Sequence, residues 1–402
     1  MRPAAPALAL LMSTLVAPAA TAQERPADAP LVRMRDGHGS DLLFRVHPRT
    51  LRPLSAPIRT FRSGAWLALS PDGRMLAYSD GSRARSRIHF VDLARWRSLG
   101  VARLGRRGPL GVGWVGPGRV VVMTGQGFGR QRLLWVDVAT RNVVGRRGFG
   151  GRLINTFAVP GGFALALAPE GRIGPLRLLL ADADGGARTV KVDGIPAGGN
   201  EAEDDARYLT PGIAVDPEGG RVFVVAVRVM LVAEVALTSG EVTYHSLGAG
   251  AAKGNVDVWW RQATWAGDGR IAVSGERFRP GRSPLPFGVS LIDTTDWSIR
   301  TLDPRPSVMH VAGDTVLAYG TRWFSDGRRS ESTGLLAFDG DGRRAFVRFR
   351  GQDIATLGSR GRLLYAWVRR TRRLHVIDLR DGRTVNEVHT SRRIPFLLAP
   401  AP

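Results

Sequence analysis

Seven segments of this 402-residue chain repeat one pattern: an apolar run, an acidic residue, a turn and a second run. Examples are "RIHFVDLARWRSLGV" from Arg87, "RLLWVDVATRNVVG" from Arg132 and "RLHVIDLRDGRTVNEV" from Arg373. An eighth and first copy, "LLFRVHPRTLRPL" from Leu42, carries His47 where the others carry Asp or Glu. The markers His47, Asp92, Asp137, Asp182, Glu234, Asp293, Asp339 and Asp378 are separated by 45, 45, 45, 52, 59, 46 and 39 residues. A strand–turn–strand unit returning about every 45 residues is the sequence signature of a β-propeller blade. The repeated Asp sits at a strand end, where its carboxylate can cap the amides of the following turn.

Each interval also holds an earlier pair of strands. "WLALSPDGRMLAYSD" (66–80), "GVGWVGPGRVVVMTG" (111–125) and "VMHVAGDTVLAYG" (308–320) show the form. Asp-Gly, Gly-Gly and Pro-Gly between such apolar runs supply the positive φ that tight hairpins need. A full repeat is therefore four antiparallel strands, A to D from the channel outward. "SPDGRMLAY" (70–78) resembles the TolB-type propeller repeat, and "VIDLRDGRTV" (376–385) is similar to the YVTN-type repeat. That resemblance implies the fold and is nearly silent on activity. The Gly-His and Trp-Asp pairs of WD40-like repeats are missing. So is the regular tryptophan-docking motif of quinoprotein dehydrogenases, and no cofactor is expected.

The ends of the chain must complete the ring, because an unfinished blade exposes pairing edges. Residues 30–54 align with residues 74–99 and supply strands B, C and D; "RIPFLLAP" (393–400) aligns with "WLALSP" and supplies strand A. Asp378 lies 24 residues from the C-terminus and His47 lies 24 residues beyond Gln23, which together make one more period. The reading is an all-β propeller of eight blades, closed by three N-terminal strands plus one C-terminal strand. Seven blades, with the first hairpin packed outside, is the alternative.

Before the first repeat, Arg2 precedes an apolar stretch from Ala4 to Val16, and Ala20-Thr21-Ala22 precedes Gln23. This is the layout of a secretory signal, cleaved near Ala22 to leave residues 23–402 as one propeller domain. A secreted or extracytoplasmic protein is expected, with no transmembrane segment. The chain has no cysteine, which excludes disulfides, thiol nucleophiles and thiolate metal sites. The net charge is +22, and of the 57 lysines and arginines only Lys191 and Lys253 are lysine. Two readings stand: a surface for an anionic polymer, or a compositional bias in which Arg, Ala, Gly and Pro rise together.

In a propeller the A–B and C–D turns share one face, while the B–C and D–A connections share the other. Insertions concentrate in the second class: 194–210, 248–260, 276–287 and 321–333 all read as long loops around one mouth of the channel. The acidic group Glu201, Glu203, Asp204 and Asp205 suits a hard cation or acid–base work, or else pairs with neighbouring arginines in a solvated loop. Arg277, Arg279, Arg282, Arg328 and Arg329, with Trp323 and Phe278, suit a basic, aromatic rim for phosphate, carboxylate or sugar. Surface arginine in an arginine-rich chain is the plainer account. Of the histidines only His310 falls in an A strand, facing the channel or simply packed; His89 and His375 read as structural. No zinc site is expected, and GxSxG, P-loop, GxGxxG and HExxH motifs are missing.

Two functions compete. One is an exported, non-catalytic scaffold, expected as a monomer, that binds a protein, glycan or anionic polymer on its loop-rich face, with no specific nucleic-acid motif. The other is an extracytoplasmic hydrolase or lactonase at the channel mouth.

Overall fold

The computed structural model describes residues 30–35, 41–59, 66–79, 86–105, 108–125, 131–199, 208–247, 258–279, 282–323, 330–390 and 395–398. These residues form 32 strands, β1 to β32 in chain order, and contain no helix. The strands make eight sheets of four antiparallel strands, the eight blades of a β-propeller. Blade 1 joins the two ends of the chain. β1 (Leu31–Arg35), β2 (Asp41–Arg45) and β3 (Ile58–Arg59) come from the N-terminal side and β32 (Pro395–Leu398) from the other. Their order is β3-β2-β1-β32, so the last strand is the innermost. Leu31 pairs with Leu398 and Arg33 with Phe396. Eight blades, closed three-plus-one, is the architecture expected from the repeat. Blades 2 to 8 follow as residues 67–105, 109–149, 152–197, 212–246, 258–303, 308–348 and 354–389.

Burial explains the strand sequences. Inner strands are covered on both faces by neighbouring blades, so β9 (Arg119–Thr124, RVVVMT) and β13 (Gly162–Ala168, GFALALA) are unbroken apolar runs. The D strand β11 (Val143–Phe149, VVGRRGF) lies at the rim and is mostly exposed. Trp135, Tyr365, Phe90 and Phe223 are the largest fully buried side chains. Close approach is built in as well: a Cβ on Gly113 of blade 3 would lie 2.1 Å from the Phe163 ring of blade 4.

The markers cap their turns. Asp92 accepts from Arg95 N at 2.9 Å, Asp137 from Thr140 N at 2.8 Å, Asp293 from Thr295 N at 2.8 Å and Asp339 from Arg343 N at 2.8 Å. His47 performs the same task with Nδ1, which accepts from Arg49 N at 3.2 Å and Thr50 N at 3.1 Å. Blade 5 requires a correction. Glu234 lies within β18 (Leu231–Ala236), paired with Arg221 and His245. The turn-closing bonds instead fall on Ala236, whose N donates to Glu241 O and whose O accepts from Gly240 N. The marker there lacks a carboxylate, so the sequence pattern slid to the nearest acid, two residues early.

These turns also lock neighbouring blades. In six of the eight turns the fourth residue after the marker, counted from Ala236 in blade 5, is left-handed, with φ 58° at Leu51, 51° at Trp96, 62° at Arg141, 79° at Gly240, 59° at Trp297 and 68° at Gly382. Where it carries a side chain, that side chain reaches the preceding blade. Leu51 packs with Leu363 and Tyr365, Trp96 Nε1 donates to Ala56 O at 2.6 Å, and Arg141 donates to Leu99 O at 2.8 Å. Trp297 stacks on His245 at 3.7 Å. Where it is glycine, the preceding blade fills the space: a Cβ on Gly240 would meet Arg188 at 2.6 Å, and one on Gly382 would meet Phe346 at 2.6 Å. Arginines staple the same seam in the other direction. Arg45 donates to Leu93 O at 2.6 Å and Arg300 to Asp341 O at 2.6 Å. Arg119, Arg188 and Arg270 donate to Ala183 O, Leu237 O and Gly340 O. A guanidinium bonded to a turn carbonyl is charge-assisted, worth about 1.5–3 kcal/mol. Part of the arginine content therefore has a mechanical use.

Candidate functional site

The opposite side of the ring carries the B–C and D–A connections, and blades 6 and 7 depart from the common plan there. The segments 276–287 and 321–333, expected as loops, are largely strand. β21 (Arg270–Arg279) and β22 (Arg282–Asp293) stay paired out to Arg279 opposite Arg282. β25 (Thr315–Trp323) and β26 (Ser330–Phe338) stay paired out to Trp323 opposite Ser330. Both extensions begin at a register shift, between Gly275 and Glu276 and between Tyr319 and Thr321. The prolines and glycine of "ERFRPGRSPLPF" read as loop in sequence. A two-stranded ribbon tolerates them because half its backbone amides face no partner. The expected loop 194–210 is also partly strand, since β15 (Ala187–Ala197) runs to Ala197.

A groove of about 780 Å³ lies between these two blades. Leu285, Pro286, Leu336 and Val347 give it apolar walls, and Arg305, Arg344, Arg350 and Glu331 give it charge. Arg305 is committed to Asp303 through a fork of 2.9 and 2.7 Å. Burial raises the Asp303 carboxyl, but the Arg305 side chain and backbone N–H outweigh it and hold Asp303 below the usual range. Arg344 and Arg350 are exposed.

Deeper in blade 6 is a second feature. Arg261, in β20 (Val258–Trp265), is only 5 % exposed, and its backbone N donates to Thr210 O at 2.9 Å. Opposite it in the ladder is Gly275, where a Cβ would lie 3.5 Å from the Arg261 side chain. The glycine lets Arg261 cross β21 to the Phe287 ring, 4.4 Å from its guanidinium. Arg277 approaches the same ring at 5.1 Å. Leu209 and Val227 pack against Phe287 from blade 5. The Nε atoms of Arg261 and Arg277 are buried without a hydrogen-bond partner, as are Arg228 Nε and Trp259 Nε1. Among the described residues Arg261 and Arg277 have no carboxylate partner. Burial, and then the charge of Arg277, push Arg261 down to about 10, a penalty of roughly 3 kcal/mol for keeping it charged. Burial also raises the Glu276 carboxyl.

The structure thus places Arg277 inside blade 6, beside an arginine that sequence reasoning missed. The available signal was "WWRQATW", a charge in an otherwise apolar A strand. Arg279 and Arg282 face each other at the tip of one ribbon, and Trp323 lies at the tip of the other. Glu201, Glu203, Asp204, Asp205, Arg328 and Arg329 lie outside the described residues. His310, in β24 (Val308–Ala312), shares a 2.7 Å hydrogen bond with Ser359 Oγ of blade 8, and burial lowers its pKa. Gln262 Nε2 donates to Met309 O at 3.1 Å, extending this polar belt across the inner strands of blades 6 to 8. Among the described residues no three His, Asp or Glu side chains converge to hold a metal, and no helix is long and apolar enough to cross a membrane.

No family model and no curated protein matches the sequence. Solved structures share the architecture. A dihydro-heme d1 dehydrogenase, NirN, in complex with DHE gives a TM-score of 0.59 at 16% identity, over 94% of this chain and 77% of its own. Apo AztD from Citrobacter koseri gives 0.50 at 13% identity, over 92% and 98%. A eukaryotic initiation factor gives 0.52 at 11% identity, also over 92% and 98%. Identities this low establish a common propeller fold and carry no function across.

Proposed function

We propose that this chain is an exported binding propeller, without catalytic machinery, that holds an anionic partner on the loop-rich side of blades 6 and 7. One observation carries the reading. Blades 6 and 7 are adjacent, extend their B–C strand pairs on the same side, and flank a groove edged by exposed Arg344 and Arg350. Material added to one side of a rigid scaffold serves recognition more often than stability. The partner class is a protein, glycan or polymer bearing carboxylate, sulfate or phosphate groups. Heparin, as a probe, should bind the wild type, with affinity falling as salt rises, and bind an Arg344→Glu/Arg350→Glu variant at least about tenfold more weakly. Equal binding by both proteins would sink the groove as the binding surface. Export itself is checked by N-terminal sequencing of the secreted protein, which should begin at Gln23.

The hydrolase or lactonase reading is favoured by the His310–Ser359 hydrogen bond alone. Among the described residues no carboxylate orients His310, and a serine needs an oriented base to become a nucleophile. Ester and lactone hydrolysis by the wild type should not exceed that of a Ser359→Ala variant; a large excess would restore the enzyme reading.

A further inference from the structure

We propose that Arg261 and Arg277, with Phe287 as an aromatic floor, form a subsite for a compact oxyanion, the carboxylate or phosphate group of a ligand. The proposal rests on the loop-rich side being the ligand face, and it places one group of that ligand inside blade 6. Elsewhere arginines that lie beside a carboxylate or a turn carbonyl bond to it. Arg221 bonds Asp216 at 2.8 Å and Glu234 at 3.2 Å, and Arg305 forks onto Asp303. Arg45 is buried with an Nε that meets no acceptor, yet its Nη1 donates to a turn carbonyl. Arg261 breaks the pattern: it is buried, lies beside a second guanidinium on one ring, and has an Nε that meets no acceptor.

Two like charges under an apolar cover are unfavourable unless an anion joins them. Stacking on Phe287 occupies the faces of the guanidinium groups and leaves their N–H edges available, and those edges match an oxyanion bidentately. Trp259 Nε1, a buried donor without an acceptor in the same strand, adds to the demand for one. The site lies near the start of an inner strand, beside the connections that enter blades 5 and 6. That position is on the same side of the ring as the ribbons.

The test is thermal unfolding in phosphate, acetate and chloride buffers of equal ionic strength. For the wild type, phosphate or acetate should raise Tm by about 2 °C or more over chloride. A response to phosphate alone assigns a phosphate-bearing ligand, and a response to acetate alone a carboxylate. Arg261→Met should melt above the wild type in chloride and lose the oxyanion response. If that variant does not fold, Arg277→Met carries the same test. A wild type indifferent to both oxyanions, with Arg261→Met melting lower, makes Arg261 a packing residue and overturns the subsite. So does a fall in Tm on neutralising Glu201, Glu203, Asp204 and Asp205 together, if the oxyanion response is missing, because that segment would then be the counter-charge. Heparin binding through Arg344 and Arg350 is read separately, so failure here and failure of the groove are distinguishable.

Discussion

The two sides of this ring use arginine in opposite ways. On the side of the A–B and C–D turns, Arg45, Arg119, Arg188, Arg270 and Arg300 each donate to a turn carbonyl of the next blade. Arg45 does so although its own Nε meets no acceptor; on the other side, Arg228, Arg261 and Arg277 have such buried Nε atoms and make no side-chain hydrogen bond among the described residues. The residue type is the same, and the difference is whether the neighbouring backbone offers an oxygen. A satisfied guanidinium fastens blades together. An unsatisfied one costs stability, a cost that a bound anion would offset.

The largest effect separates ring closure from everything else. Removing residues 393–402 deletes β32 and leaves β1 without an inner partner, so Tm should fall by roughly 10 °C or more. An unchanged melting curve would mean that the strand does not close the ring. Next, on the stapled side, Arg188→Met should lower unfolding free energy by about 2 kcal/mol in urea titrations. On the other side, Arg261→Met in chloride should raise it by about 1 kcal/mol, and a loss in both variants would erase the contrast. The left-handed residues give a finer test. Trp297→Gly removes a stack that joins two blades and should destabilise, whereas Arg372→Gly relieves φ 54° at an exposed residue and should gain up to about 1 kcal/mol.

The smallest effect is in acid. Asp303 has a lowered pKa in the folded protein, so its contribution is present above about pH 4 and is lost as pH falls through the folded value. Unfolding followed from pH 5 to pH 2 should steepen less in Asp303→Asn than in the wild type.

How far these contrasts were legible in sequence depends on their range. The blade repeat and its capping Asp are local, since marker, turn and strand lie within a few residues of each other. His47 could be placed as a cap by alignment with Asp92 alone. The ribbons were not legible, because Pro284 and Pro286 carry the composition of a loop and only the pairing of Pro286 with Glu276 and of Leu285 with Arg277 shows the segment as strand. Arg261 was not legible either. Its significance lies in what surrounds it, and Gly275, Phe287 and Leu209 come from three other segments.

The sequence by itself determined the blade and favoured eight of them closed by the chain ends, with seven left as the alternative. Hydrophobic periodicity and turn chemistry act over the length of one repeat, and an unpaired strand edge is unfavourable wherever it occurs. The tertiary structure decided which arginines are fastened and which are left waiting. Charge compensation depends on distances of a few ångströms between residues far apart in the chain, and nothing in the order of residues encodes those distances directly.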